Sequence, residues 1–278
     1  MTPRWPAAIA AALILAPRVA AAQIDYRNLD DDRPTVVEDA YAIERYAFEF
    51  LLPHVLTRSG SATTYAFVPE LAYGIASGMH VGLKVPVIND AGPSGRRWDI
   101  GGLRAFALYN ANTEGPLLPA LSLRLDGFFP VGSTAGNAAR GEVKLIATRT
   151  FGRSRLHLNG ALGIGPDAAG SPVEGASRWW YGAALDRTLF RQSVLLIGEV
   201  YARRSATSAP VEVNTSVGLR YQLSTSAVLD FGVARRLRAA GPDVALTFGV
   251  SKSFGLAALM PRAPTPPTTE GATDAHRH

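Results

Sequence analysis

The sequence predicts an all-β protein, an antiparallel transmembrane β-barrel of about 12 strands, with an N-terminal signal peptide and a disordered C-terminal tail. Three observations predict this fold. The first residues have the pattern of a secretory signal. The chain after them repeats segments of about ten residues whose hydrophobicity alternates. The connections between these segments are short and long in turn.

Residues 1–22 are predicted to form a signal peptide that is removed after export. Arg4 precedes an apolar run at residues 7–16, and three alanines at residues 20–22 precede the expected cleavage site. The run is much shorter than the roughly 20 residues that a membrane-spanning helix needs, and Pro17 follows it. We therefore expect an exported chain without a retained helical anchor.

The segments on either side of the repeats are predicted to lie outside the barrel, which takes residues 43–256. Residues 23–42 are polar, contain three successive aspartates, and show no clear period, so we predict an N-terminal extension that precedes the first strand. Residues 257–278 are rich in Pro, Thr, Ala and Gly, which is typical of a flexible tail.

Strands are predicted wherever apolar residues alternate with polar or small ones. In residues 211–223, Val217, Leu219 and Tyr221 share one face, whereas Glu212 and Arg220 share the other. Such alternation fits a strand with one face in lipid and one in the lumen. The predicted strands are residues 41–52, 63–75, 79–88, 98–109, 119–131, 142–151, 155–164, 178–188, 194–203, 211–223, 227–236 and 243–254.

The lengths of the connections support the same fold. Residues 76–78, 152–154, 190–192 and 224–226 are tight turns, whereas residues 89–97, 132–141, 165–177 and 205–210 are longer loops. Bacterial outer-membrane barrels have short turns at one end and longer loops at the other. A soluble sandwich or lipocalin-like barrel would carry a densely charged outer face. Only 18% of this chain is charged, which favours the membrane barrel.

Charged residues that alternate with apolar ones are predicted to face the lumen, because a charge facing lipid near the membrane midplane costs several kcal/mol. If the oppositely charged groups leave space, they create a field across a narrow aqueous channel; if they close on one another, they form a packed salt-bridge network. The predicted lumen-lining residues are Arg45, Glu49, Glu70, Lys84, Arg104, Arg124, Asp126, Glu142, Lys144, Asp186, Glu199, Arg203, Glu212, Arg220, Asp230 and Arg236.

Aromatic residues near the strand ends have two interpretations. They suit the headgroup interface of a membrane, which we favour, or they line a site for an aromatic solute. These residues are Tyr73, Tyr109, Trp179, Trp180, Tyr181 and Tyr201.

Several functional classes find little support in the sequence. There is no cysteine, which excludes disulfides and thiol chemistry. Barrel hydrolases place a serine two residues from a histidine on one strand face, and neither His80 nor His157 has such a serine, so we predict no catalytic residues. No spaced metal ligands or cofactor motif is present. The basic residues are scattered, so we expect no nucleic-acid partner.

Short motifs in order along most of the mature chain resemble a broad family of bacterial outer-membrane barrels labelled meta-pathway of phenol degradation or transporter. The resemblance implies a barrel that passes small molecules and supplies no catalytic residues. The motifs are Arg33-Pro34-Thr35, Glu38-Asp39, YAFEF at residues 46–50, WDIG at residues 98–101, LDGFFPVGS at residues 125–133 and GEVY at residues 198–201.

Taken together, these features predict a passive, porin-like channel in the bacterial cell outer membrane for small compounds, aromatic ones among them. The alternative is a non-conducting barrel with a structural, adhesion or binding role. The expected partners are outer-membrane lipid, small-molecule solutes and, during assembly, the outer-membrane insertion machinery. We expect no metal and no cofactor.

Overall fold

Twelve antiparallel strands follow one another around a barrel in the computed structural model, which describes residues 19–20, 23–31, 33–92, 95–133, 135, 137–167, 177–189, 193–238 and 241–260. Three of the strands are interrupted and have two parts. The strands are β1 (Ala47–Ser59), β2 (Ala62–Phe67 and Glu70–Ala76), β3 (Met79–Lys84 and Val87–Gly92), β4 (Gly95–Ile100 and Leu103–Asn112), β5 (Ala120–Phe129), β6 (Arg140–Phe151), β7 (Ser154–Ile164), β8 (Trp179–Thr188), β9 (Val194–Arg204), β10 (Glu212–Ser224), β11 (Ala227–Arg238) and β12 (Val244–Leu256).

The last strand closes the barrel against the first. Strand β12 pairs with β1 from Val244 opposite Arg58 to Gly255 opposite Ala47, and every other strand pairs with its neighbours in sequence. Closure leaves no unpaired sheet edge, which is the condition for strands to cross lipid. The predicted count of twelve strands is therefore confirmed. The short strand Val19–Ala20, which lies within the predicted signal peptide, pairs with residues 255–256 of β12.

Proline and glycine interrupt three strands that the alternation pattern predicted to be continuous. Proline has no N–H to donate to the sheet, and Pro69 and Pro86 separate the two parts of β2 and of β3. Hydrogen bonds bridge both breaks, from the Val68 N–H to the Pro53 carbonyl (2.9 Å) and from the Val85 N–H to the Pro69 carbonyl (3.0 Å). Of the loop predicted at residues 89–97, residues 89–92 and 95–97 instead extend β3 and β4, and residues 93–94 lie outside the described residues.

The two faces of the strands differ as the alternation predicts. In β10, Val217 and Tyr221 are 58% and 47% exposed on the outer face, whereas Glu212, Ser216 and Arg220 are buried on the inner face. Large apolar side chains are exposed in the same way on every other continuous strand. The outer surface is therefore apolar and suited to lipid, and the inner surface carries the charges.

The two ends of the barrel have different connections. At one end, the short-turn end, the chain turns at residues 77–78, 152–153 and 225–226, and β1 begins and β12 ends there. At the opposite end, the long-loop end, strands are joined through residues 130–139, 165–178 and 205–211. These six connections differ in length as predicted, but two others do not: residues 60–61 form a two-residue turn at the long-loop end, and residues 113–119 form a seven-residue connection at the short-turn end. Within the described residues, no helix is long and apolar enough to span a membrane.

Residues 23–31 and 33–46, which we call the inner segment, run through the barrel interior, with Asp25, Glu44 and Arg45 exposed near its two ends. The sequence predicted an extension before a first strand at residue 41, but β1 begins at Ala47. The Ile24 N–H donates to the Thr225 carbonyl at the short-turn end (2.9 Å), and the Tyr46 N–H donates to the Gly74 carbonyl (2.8 Å). A Cβ at residue 74 would lie 2.0 Å from the Glu44 carbonyl oxygen, so only glycine permits this close crossing. The segment thus enters and leaves at the same end.

Candidate functional site in the barrel interior

The inner segment fills the middle of the barrel and is buried there. The side chains of Arg33, Val37 and Ala40 have no exposed surface. Arg33 contacts strands β11 and β12, whereas Ala40 contacts strands β4, β5 and β6 on the opposite side of the barrel. The segment therefore lies across the lumen. The barrel interior is therefore blocked in this structure, and the contacts that hold the segment define the candidate site.

Three small apolar clusters anchor the inner segment. Leu29 packs with Leu195 and Ile197 of β9. Val37 packs with Trp180, Ala161 and Ala184 of β7 and β8, and Ala40 packs with Leu108, Ala120 and Ile146 of β4, β5 and β6. Each cluster fully buries one apolar residue of the segment, and Tyr26, Val36, Tyr41 and Ala42 of the segment pack against the clusters while partly buried. Burial of apolar surface therefore contributes roughly several kcal/mol in all.

The Asp31 carboxylate lies among four cations of the barrel wall. It contacts the Lys84 Nζ, the Arg104 Nη2 at 2.8 Å, the Arg124 Nη1 at 3.3 Å and the Lys144 Nζ at 3.6 Å. Burial alone would raise the pKa of Asp31, but these cations hold it well below its usual range. The carboxylate is therefore ionised whenever the inner segment is in place.

Glu38 shares two of these cations. Its carboxylate accepts hydrogen bonds from the Arg124 Nη1 and the Lys144 Nζ, both at 2.6 Å. Its backbone is fixed as well, because the Glu38 N–H donates to Asn159 Oδ1 (2.9 Å) and the Asn159 Nδ2 donates to the Glu38 carbonyl (2.8 Å). Charge and backbone contacts thus hold this residue against one wall.

Arg33 makes the corresponding contacts with the opposite wall. Its Nη1 donates to Asp230 Oδ2 and to Ser251 Oγ, and its Nη2 donates to Asp30 Oδ2, all at 2.8 Å. Burial opposes the charge, but these carboxylates raise the pKa of Arg33 above its ordinary value. Asp230 also pairs with the Arg220 Nε at 2.7 Å, so one buried carboxylate serves two arginines.

Backbone N–H groups of the inner segment are satisfied by side chains of the wall. The Val36 and Val37 N–H groups both donate to Glu199 Oε2 at 2.9 Å. The Ala40 N–H donates to Thr148 Oγ1 (3.0 Å). Because a buried N–H without a partner costs about 1–3 kcal/mol, these acceptors position the segment as well as neutralising it.

A buried relay on β6, β7 and β8 supports the Thr148 acceptor. The Thr148 hydroxyl lies 3.0 Å from His157 Nδ1, and the His157 Nε2 lies 3.0 Å from Asp186 Oδ2. The Arg155 Nε also donates to Asp186 (2.8 Å), and its Nη1 contacts Asp39 of the inner segment. The sequence search considered only pairs on one strand and so missed this cross-strand arrangement, which is fully buried behind the inner segment.

Most of the predicted lumen-lining residues are buried on the inner face around the inner segment. Those residues are Glu49, Glu70, Lys84, Arg104, Arg124, Asp126, Glu142, Lys144, Asp186, Glu199, Arg220 and Asp230.

The other four predicted residues lie away from the buried middle of the inner segment, although Glu212 is also buried on the inner face. Arg203 pairs with Glu212 (2.9 Å), and Arg236 pairs with Asp243, towards the long-loop end. Arg45 is exposed before β1, where its guanidinium lies over the Tyr46 ring. These residues do not contribute to the blocked region.

Two cavities flank the inner segment. The cavity towards the long-loop end has a volume of about 150 Å³ and is bounded by Pro34, Trp180, Tyr201 and Arg236 among others. The cavity towards the short-turn end has a volume of about 410 Å³ and is bounded by Gln23, Tyr26 and Glu44 among others. Trp180 is only 5% exposed, so the expectation that it belongs to an interfacial girdle is wrong.

The close contact of Pro34 with Gly218 gives a direct test of how the inner segment is seated. A Cβ at residue 218 would lie 2.5 Å from Pro34 Cγ, so Gly218→Ala must displace the segment at a cost of about 1–3 kcal/mol. We expect the Val36 and Val37 amides to exchange with deuterium about tenfold faster in this variant. Gly198→Ala is the matched control, because a Cβ there meets nothing within 4 Å. Equal exchange in both variants would contradict the contact.

A closed twelve-stranded antiparallel barrel with an apolar exterior and a charged interior has the fold of β-barrels that cross a membrane with their strands. No family model and no curated protein matches the chain, so the resemblance to the phenol-degradation family stays a prediction. Solved structures do match. The COG4313 outer membrane channel from Pseudomonas putida F1 has a TM-score of 0.59 at 15% identity, over 81% of this chain and 100% of that one.

Two porins match over a similar extent. The KdgM porin has a TM-score of 0.51 at 12% identity, over 73% of this chain and 98% of its own. The NanC porin has a TM-score of 0.51 at 10% identity, over 74% of this chain and 98% of its own. At these identities the comparisons establish the fold, and the function must be argued from the interior.

Proposed function

We propose that the protein is a passive channel of the bacterial outer membrane for small compounds, aromatic ones among them, and that its inner segment is the gate. The observation that carries the proposal is a segment held mainly by ion pairs and hydrogen bonds between two cavities. As in other outer-membrane barrels, the short-turn end would face the periplasm and the long-loop end would face the exterior.

The nature of the contacts supports a gate that can move. Ion pairs buried in a protein contribute little net stability, because the loss of hydration offsets most of their attraction. When the inner segment leaves, water enters the lumen and hydrates the same charges again. The small apolar clusters around Leu29, Val37 and Ala40 add only a modest cost of release. Such an arrangement positions the segment uniquely without fixing it permanently.

The cavity towards the long-loop end supports a single-ring compound as one kind of solute. Its volume of about 150 Å³ is of the size that accommodates benzene in an apolar protein cavity. Trp180 and Tyr201 supply aromatic surface, and Arg203 and Arg236 supply polar groups at the same cavity. A small amphipathic solute entering from the exterior would meet this cavity before the gate.

A cysteine pair tests the gate, because the chain has no cysteine of its own. Ala40 of the inner segment and Ala120 of β5 pack in one buried cluster, so Ala40→Cys with Ala120→Cys should form a disulfide across that contact. We expect liposomes with the reduced variant to swell in arabinose and to show discrete conductance steps. The oxidised variant should show neither.

The controls are Ala40→Cys alone and the wild-type chain under the same oxidant. If the oxidised and the reduced variant conduct equally well, ions and solutes cross the barrel without movement of the inner segment, and the segment is not the gate. A folded, heat-modifiable barrel that conducts in neither state would reject the channel and leave the non-conducting structural or binding role.

A further inference from the structure

Four cations form a compact basic cluster on one wall of the lumen. The basic cluster consists of Lys84, Arg104, Arg124 and Lys144, which come from the neighbouring strands β3 to β6. Lys84 lies directly opposite Arg104 across the sheet, and Arg124 lies directly opposite Lys144. Like charges in such cross-strand pairs repel each other, so the cluster requires anions.

The wall itself supplies part of that negative charge. Glu70 contacts the Lys84 Nζ at 2.8 Å, and Asp126 contacts the Arg104 Nε at 2.8 Å and the Arg124 Nη2 at 3.1 Å. The inner segment supplies further anionic contacts, since Asp31 reaches all four cations and Glu38 reaches two of them. All four cations are buried. The cluster is thus a built anion site with two carboxylates already in it.

The two carboxylates of the inner segment lie side by side. Asp31 and Glu38 contact the same Nη1 atom of Arg124, at 3.3 and 2.6 Å. They also contact the same Nζ atom of Lys144, at 3.6 and 2.6 Å. Two carboxylates that share both a guanidinium nitrogen and an ammonium group have the spacing found in a single short dicarboxylate. The inner segment therefore presents a pattern that a small molecule could reproduce.

We propose that the basic cluster is a binding site for small dicarboxylates, that Asp31 and Glu38 occupy it in their place while the gate is closed, and that such solutes displace the inner segment and then pass. The proposal rests on the channel function proposed above and names its solute class. It also assigns the charged wall a role beyond holding the barrel shut.

The energetics follow from competition for one site. A dicarboxylate binds the basic cluster only when the two carboxylates of the inner segment have left it, so it binds the open state and not the closed one. A ligand with such a preference shifts the population towards the open state. A monocarboxylate satisfies only one of the two positions, and a neutral diamide of the same shape satisfies neither charge. Both should therefore be weak openers.

The first experiment measures single-channel open probability of the wild-type protein in a planar bilayer at constant ionic strength. We expect succinate to raise the open probability about tenfold, and acetate, sulfate and succinamide to leave it close to its basal value. An equal response to sulfate would indicate general screening of charge and would overturn the proposal. A response to succinamide as large as that to succinate would also overturn it.

The second experiment changes the site while keeping the charges balanced. Lys144→Met together with Glu38→Gln removes a cation and its partner at once, whereas Glu38→Gln alone retains all four cations. We expect the single variant to respond to succinate and the double variant to lose most of the response. Heat-modifiable gel migration checks that both variants fold. If the double variant does not fold, the responses of the wild type to succinate, acetate, sulfate and succinamide still test the proposed site. An undiminished succinate response in a folded double variant would contradict the site.

The failure of this proposal is distinguishable from failure of the channel itself. Arabinose uptake by the reduced Ala40→Cys/Ala120→Cys variant tests passage of a neutral solute that does not compete for the basic cluster. If arabinose passes and succinate does not open the wild type, the channel stands and the dicarboxylate site is rejected. If neither solute has an effect, both proposals fail.

Discussion

Asp31→Asn together with Glu38→Gln is expected to open the channel without any added solute. The substitutions preserve the shape of both side chains and remove the two negative charges that the inner segment places on Lys84, Arg104, Arg124 and Lys144. In the closed state the four cations would then be buried with insufficient counter-charge. In the open state water hydrates them, so the substitutions destabilise the closed state selectively.

The expected effect is large. Removing one partner of a buried ion pair costs about 3–5 kcal/mol, and about 1.4 kcal/mol corresponds to a tenfold change in an equilibrium. We expect the ratio of closed to open states to fall by about two to three powers of ten, measured as single-channel open probability. Asp25→Asn is the matched control, because Asp25 is exposed on the same segment and accepts a hydrogen bond from the Arg27 N–H. An equal open probability in the double variant and the control would show that charge does not hold the gate.

The strand pattern could be predicted because one physical rule generates it. A residue period of two separates lipid from lumen. In β10, this period places Glu212 and Arg220, which are buried, on the face opposite to the exposed Val217. The same rule could also have identified inward-facing residues that the sequence analysis missed. Trp179, Trp180 and Tyr181 alternate, so Trp180 had to face opposite to its neighbours, and Arg155 and His157 share the inner face of β7.

The position of the inner segment could not be predicted in this way, because residues 23–46 have no period. Their polar composition fits a solvent-exposed extension as well as it fits a segment inside a charged lumen. The deciding contacts are distant in sequence: Asp31 meets Lys84, Glu38 meets Lys144, and Arg33 meets Asp230. Each residue alone looks like an ordinary surface charge. Only the closure of the barrel brings the complementary walls around them.

The interruptions in the strands also lay beyond the alternation pattern. Pro69 and Pro86 stand within segments whose hydrophobic period continues across them, and a carbonyl of the adjacent strand still receives the N–H beside each break. Periodicity describes which side a residue faces, whereas strand continuity depends on the hydrogen-bond donors that proline lacks. The two kinds of information are independent.

Asp230→Asn is expected to cause the largest loss of stability among single substitutions in the interior. The buried Asp230 carboxylate pairs with the Nη1 of Arg33 at 2.8 Å and with the Nε of Arg220 at 2.7 Å. Both arginines are fully buried. With asparagine at 230, the nearest remaining anions among the described residues are Asp30, at 2.8 and 3.7 Å, and Glu49, at 3.9 Å from Arg33. Asp30 and the more distant Glu49 would then have to balance two guanidinium groups.

We expect a loss of about 3–5 kcal/mol in the free energy of unfolding, seen as conversion to the unfolded gel form about 10 °C below the wild type. Asp243→Asn is the control, because its partner Arg236 is partly exposed, and it should leave the conversion temperature unchanged. Asp230→Asn with Arg33→Met should recover part of the loss, since it removes one uncompensated charge. If the double variant were no more stable than Asp230→Asn alone, the ion pair between the wall and the inner segment would not be the source of the stability.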